Sequence, residues 1–144
     1  MRIISRVENS RNHHAVTLQT NDTVHTLTIP HKATGFGSSA NGGELLFLAL
    51  ATCYCNDVYR EAAKRGIPVE RIEVEVEGEF GGEGDPARNV TYRAVVTSPA
   101  EEAVVRDLLR HTDTVAEIQN TLRGGAPVVM SDIVVVPPES GETK

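Results

Sequence analysis

Two cysteines, Cys53 and Cys55, stand one residue apart in "GGELLFLALATCYCNDVYREAAKRG", Gly42 to Gly66, and they are the only thiols in the chain. Paired thiols can form a disulfide, hold a metal or supply a nucleophile. On a helix, residues i and i+2 point about 200° apart, so a disulfide between these two needs the helix to break. The spacing is not CxxC, so no thioredoxin-like dithiol is signalled. His13 and His14 are adjacent and His25, His31 and His111 are scattered, which leaves no set with metal-ligand spacing, and no metal site is expected. That leaves nucleophilic chemistry, which requires the thiolate. A mid-helix thiol gets no help from the helix dipole, so a nearby cation must supply it. Both side chains also suit the plainer role of small buried hydrophobes.

The elements that must hold these thiols are legible around them. The stretch from Glu44 to about Arg65 reads as the longest helix. Asn41, three residues before Glu44, has the capping-box spacing, and Gly66 with Pro68 beyond it is a stop signal. The first half of this helix is apolar on every face, whereas Asn56, Asp57, Arg60, Glu61 and Lys64 make the second half polar. Twenty-two residues span roughly 33 Å, against about 37 Å for a compact domain of this length. The helix must therefore run through the centre or into a partner, with its first half buried on all sides.

Before the helix, Arg2–Val7, His14–Thr20 and His25–Pro30 read as strands, with a hairpin turn at Asn21-Asp22. Residues 35–43 are a glycine- and serine-rich loop. After it, "RIEVEVEGEF" alternates strictly, with Ile72, Val74 and Val76 inward and Glu73, Glu75 and Glu77 outward. "GGEGDPAR" is a turn, and Asn89–Thr97 is the next strand. Ser98-Pro99-Ala100-Glu101 has capping-box spacing for a helix to about Arg110. Asp113–Leu122 reads as a further short helix, Gly124-Gly125 as a break and Val128–Val136 as a final strand. The tail from Pro137 is polar and expected to fray.

The 144 residues fit one domain, 1–144, able to bury a core without staples. A formal charge of −6 and an aromatic content of 4% without Trp argue against nucleic acid or an anionic membrane surface as partner. The longest apolar run, Leu45 to Ala51, cannot span a bilayer. Met1–Ser5 lacks a signal-peptide pattern, so a cytoplasmic protein with reduced thiols is expected.

The helix "ELLFLALATCYCNDVYREAAKRG", running straight into "IPVERIEVEVEGEF", resembles the signature of the OsmC/Ohr family, named for osmotic induction and organic hydroperoxide resistance, in a divergent OsmC-like branch. The element order agrees: N-terminal strands, long helix, two strands, helix, final strand. The resemblance implies an α+β fold with antiparallel sheets and a long buried central helix. It also implies an intertwined homodimer with an active site at each subunit interface, and thiol-dependent reduction of organic hydroperoxides or hydrogen peroxide in oxidative stress defence, with no cofactor. By this resemblance Cys53 is the peroxidatic thiol. Arg11, in "NSRNHHAV", is the arginine that lowers its pKa and polarises the peroxide, and Glu44 orients that arginine. Glu44 precedes Cys53 by nine residues, roughly 13.5 Å of rise and about 180° of rotation, so it would serve across the dimer. Ohr-like members carry a resolving cysteine some sixty residues beyond the first. The corresponding stretch here, "HTDTVAEIQNTL", offers Val115 or Ala116 instead. The expected sulfenic acid would then need an external thiol reductant, with Cys55 a geometrically poor second thiol. Two other readings stay open. One is a non-enzymatic protein binding a small apolar ligand in an interface cleft lined by Leu46, Phe47 and Leu50. The other is the same fold with inert buried thiols.

Overall fold

The computed structural model describes residues 1–139. Its first unit is an antiparallel sheet of β1 (Ile3–Ser10), β2 (His13–Thr20) and β3 (Thr23–Thr26), in that order. Two tight turns set the register. Asn12 and Asn21 both adopt positive φ, at 58° and 51°, which asparagine tolerates better than most residues, and they pair Val7 with Val16 and Thr20 with Thr23. The third strand starts earlier and ends sooner than the His25–Pro30 expected from the sequence. After Thr26 the chain keeps one ladder bond, from the Leu27 amide to the Val16 carbonyl, and then folds into a loop braced back on the sheet. The Asn9 side chain bonds both the amide and the carbonyl of Gly37.

The second unit is built on α1 (Gly42–Arg65). The expected caps are both present. Asn41 Oδ1 accepts from the Glu44 amide at 2.8 Å, Glu44 Oε1 accepts from the Asn41 amide at 2.9 Å, and Gly66 closes the helix in the left-handed conformation. A hairpin of β4 (Arg71–Glu79) and β5 (Arg88–Thr97) packs on α1, opposing Ile72 with Val96, Val74 with Ala94 and Val76 with Tyr92. Then come α2 (Glu102–Val115) and α3 (Glu117–Arg123), both against α1. The buried centre is Tyr54, Val58, Ala62, Leu108 and Ala116, flanked by Ile72, Val74 and Leu109. The Tyr54 ring meets Tyr92 edge-on, and its hydroxyl donates to the Leu109 carbonyl at 2.8 Å. α1, α2, α3 and β4–β5 pack on one another, while β1–β3 have no comparable packing on any of them. Among the described residues, no helix is long and apolar enough to cross a membrane.

Several expectations are corrected. Within one chain, the apolar first half of α1 is not buried on all sides: Leu48 is 55% exposed. Burial falls on one face, at Leu50, Tyr54 and Val58, and extends to the acids Asp57 and Glu61. Ser98 builds no capping box: its hydroxyl donates to the Pro68 carbonyl, accepts from the Ala100 amide, and leaves α2 to begin at Glu102. The helix expected over Asp113–Leu122 is divided at Ala116, whose extended backbone (ψ 112°) ends α2 and starts α3. Val128–Val136 is no strand. Residues 126–139 have no regular structure, with Val128 97% exposed. A valine-rich run marks a segment fit for a sheet, but a strand exists only when a neighbour completes its ladder. The polar tail expected from Pro137 lies in large part outside the described residues.

Candidate functional site

Cys53 sits on the face of α1 that meets α3, half-buried and unpaired with Cys55. Its sulfur lies one helical turn before Asp57, and Sγ donates to Asp57 Oδ2 at 3.4 Å. Glu117, at the start of α3, brings Oε1 to 3.7 Å from the same sulfur. Ala116, with its extended backbone, separates α2 from α3, and Glu117 opens α3 against α1. Burial is the first cause pushing the Cys53 thiol above its ordinary range. The Ile118 amide, donating to the sulfur, pulls the other way, and Asp57 and Glu117 add to the upward push.

The two carboxylates are held from behind by one guanidinium. Arg60 Nη1 lies 3.0 Å from Asp57 Oδ1 and 3.0 Å from Glu117 Oε2. Each acid thus turns one oxygen to Arg60 and the other to the thiol. Asp57, 6% exposed, is held above the usual carboxylate range, chiefly by burial and then by its neighbour Glu117; Glu117 is held below it, by Asp57 first and with help from Arg60. Arg60 Nε also reaches Glu61 Oε2 at 2.9 Å, and Lys64 and His111 flank Glu61 at 3.1 and 3.0 Å. Arg60 first, then Lys64, hold Glu61 down to about 2.

One turn toward the N-terminus of α1 a cavity opens. Leu46, Phe47 and Leu50 line it, with Phe80, Val90 and Leu122 opposite, and its volume is about 630 Å³. Phe47 stacks on Phe80 at 6.0 Å between ring centres and rests against Gly78, where a side chain's first carbon would come within 2.8 Å of the ring. Gln119, 3% exposed, forms part of the wall and donates to the Leu50 carbonyl at 3.0 Å.

The sequence-derived candidates therefore divide. Leu46, Phe47 and Leu50 share one cavity, next to the turn that carries Cys53. Cys55 looks elsewhere, into a shallow pocket with Ala51, Thr52, Asn56 and Val74. Arg11 stands at the β1–β2 turn with its guanidinium 5.7 Å above the Phe36 ring, and Glu44 is engaged in the cap of α1. Neither is among the groups that touch Cys53 within one chain. The groups that do, Asp57 and Glu117, and Arg60 behind them, were not singled out as site residues from the sequence. Asp57 and Arg60 could have been, since C-x-x-x-D-x-x-R places all three on neighbouring turns. Glu117 is 64 residues from Cys53 and carries no local signal.

No curated protein sequence matches the chain. Among solved structures, the OsmC-like protein from Mycoplasma pneumoniae is similar at 20% identity, with a TM-score of 0.59 over 84% of this chain and 88% of that one. An organic hydroperoxide resistance protein OsmC from Legionella pneumophila is 20% identical, with a TM-score of 0.56 over 86% and 90%. An organic hydroperoxide resistance protein from Elizabethkingia anophelis is 18% identical, with a TM-score of 0.58 over 86% and 89%. At these identities the likeness is one of fold: mixed α+β, antiparallel sheets and a long central helix. The sequence model of the family described as OsmC-like protein matches residues 35–131, which takes in α1 with both thiols, the β4–β5 hairpin, α2 and α3, and on that match the chain belongs to the OsmC-like family.

Proposed function

We propose that the protein is a thiol peroxidase that reduces organic hydroperoxides or hydrogen peroxide through Cys53. The observation that carries this reading is the placement of a half-buried, unpaired thiol one turn from Leu50, which lines an apolar cavity able to hold the organic part of a hydroperoxide. The names of the Legionella and Elizabethkingia proteins, which share the fold, support it. Sulfur attacks the peroxide and becomes a sulfenic acid. Cys55 points away, so an external thiol completes the cycle. The working unit is a homodimer: the exposed Leu48 face of α1 and the uncovered apolar stretch 128–136 are surface that a second copy would cover. Arg11 and Glu44, remote from Cys53 within one chain, serve in this reading from the second copy. Cytoplasmic location accords with unpaired thiols.

A second reading has its own observation. Burial and two acids press Cys53 toward the neutral thiol, and the cavity beside it is lined mostly by apolar side chains. A protein that only binds a small apolar ligand would show both. Peroxide consumption with an added dithiol, for the natural protein and Cys53→Ser, separates the two. Turnover lost in Cys53→Ser supports the enzyme, and equal, background rates in both refute it.

A further inference from the structure

We infer that Gln119 selects what enters the cavity: its side-chain oxygen accepts a hydrogen bond from a hydroxyl or hydroperoxyl group carried in on an apolar body. This rests on the reading, common to both functions above, that the cavity takes a small apolar molecule.

The argument starts from one amide. Gln119 Nε2 donates to the Leu50 carbonyl at 3.0 Å, so the nitrogen end is spent on the backbone of α1. The residue is 3% exposed, and its Oε1 has no hydrogen-bond partner. Among the described residues, the only other buried side-chain polar atom in that condition is the Ser38 hydroxyl, in the loop before α1 and not on this cavity's wall. A buried amide oxygen left unbonded is costly. A ligand that brings a donor to it recovers that cost.

The rest of the wall narrows the chemistry. Its other polar side chains are already engaged. The Tyr92 hydroxyl donates to Asp113, and Arg123 donates to the carboxylate and the carbonyl of the same residue. None of the wall residues is acidic. An aprotic oil would leave the Gln119 oxygen unbonded, and an anion would press negative charge against it. A neutral O–H group on an apolar body satisfies it. The position also suits the chemistry proposed for Cys53. The residue before Gln119 is Ile118, whose backbone amide donates to the Cys53 sulfur. Successive residues of α3 thus touch the thiol and hold the open acceptor. The hydrogen stays on its own oxygen, so the contact orients the bound molecule and asks nothing of the protonation state of Cys53.

The test measures binding to the full chain by titration calorimetry, with two unreactive probes built on one apolar body. One is 2-phenyl-2-propanol, which carries a hydroxyl; the other is its methyl ether, which has no donor. The natural protein should bind the alcohol about tenfold more tightly, the scale of one hydrogen bond to a buried acceptor. Gln119→Met keeps the length of the side chain without the oxygen, and the preference should vanish. Gln119→Glu keeps an acceptor oxygen in either protonation state, and the preference should persist. Comparing the ratio of the two affinities removes whatever loss of the Leu50 bond does to packing. Equal affinities in the natural protein overturn the inference whether or not the variants fold, and so does a preference unchanged in Gln119→Met. Failure of both probes to bind overturns the cavity reading and this inference together. An alcohol preference that depends on Gln119, in a protein without Cys53-dependent turnover, supports the inference while overturning the peroxidase reading.

Discussion

Gly78→Ala probes the cavity from its far wall. A methyl carbon at that position would lie 2.8 Å from Phe47 Cζ and 3.0 Å from Val90 Cγ2. Carbon atoms pack best at about 3.5–4.0 Å, so the Phe47 ring must withdraw by roughly an ångström. β4 blocks it behind and Phe80 beside, and the open direction is the cavity that Phe47 lines. Overpacking of this kind costs about 1–3 kcal/mol. With a urea slope of about 2 kcal/mol/M, the unfolding midpoint should drop by about 0.5–1.5 M. Turnover should change selectively: a bulky aromatic hydroperoxide should lose kcat/KM by about tenfold, the scale of a methylene-sized misfit in an apolar pocket, with hydrogen peroxide nearly unaffected. Phe47→Leu in the same chain shortens the offending side chain and should recover at least half of the midpoint loss. An unchanged midpoint would show that the strand and ring are not packed as described. A lowered midpoint with equal losses for both peroxides would show that substrate does not use this cavity.

Leu108→Ala, at a side chain with 0% exposure between α2 and α1, should cost about 2–5 kcal/mol in urea unfolding. The depressed Glu61 carboxyl gives stability that is fully present above its ordinary value of 4.5 and lost as pH falls toward about 2; the midpoint of Glu61→Gln should accordingly change less than that of the natural protein over that interval. One equivalent of hydrogen peroxide should add oxygen to the intact mass, or form a mixed disulfide with added thiol. A monomer lighter by two hydrogens would instead mean that Cys53 and Cys55 had joined and α1 had opened at Tyr54.

How much of this was legible in the chain depends on how local each determinant is. The ends of α1 were readable because Asn41, Glu44 and Gly66 act within a turn of themselves. The face of β4 was readable because Ile72, Val74 and Val76 alternate without exception. Ser98 misled because its hydroxyl is taken by a carbonyl 30 residues earlier, which no local pattern reports. The break at Ala116 has neither glycine nor proline to mark it; tertiary packing of a fully buried alanine decides it. For the site, Leu46, Phe47 and Leu50 were expected to line an interface cleft, and they share a cavity within one chain, whereas the acid that crosses from α3 carried no local signal. Arg11 was assigned by resemblance, and its contact in one chain is with Phe36.

The separateness of β1–β3 from the helices carries a consequence for dynamics. A sheet supported by its own loop, through Asn9, Gly37 and Leu27, opens with a free energy of its own, and its amides exchange with solvent on that scale. The amides around Val58 and Leu108 are tied to the cooperative opening of the body. Substituting Val16 should therefore hasten exchange across the three strands while the protection of α1 stays as it was, so that one chain holds two levels of cooperativity joined at residues 27–41.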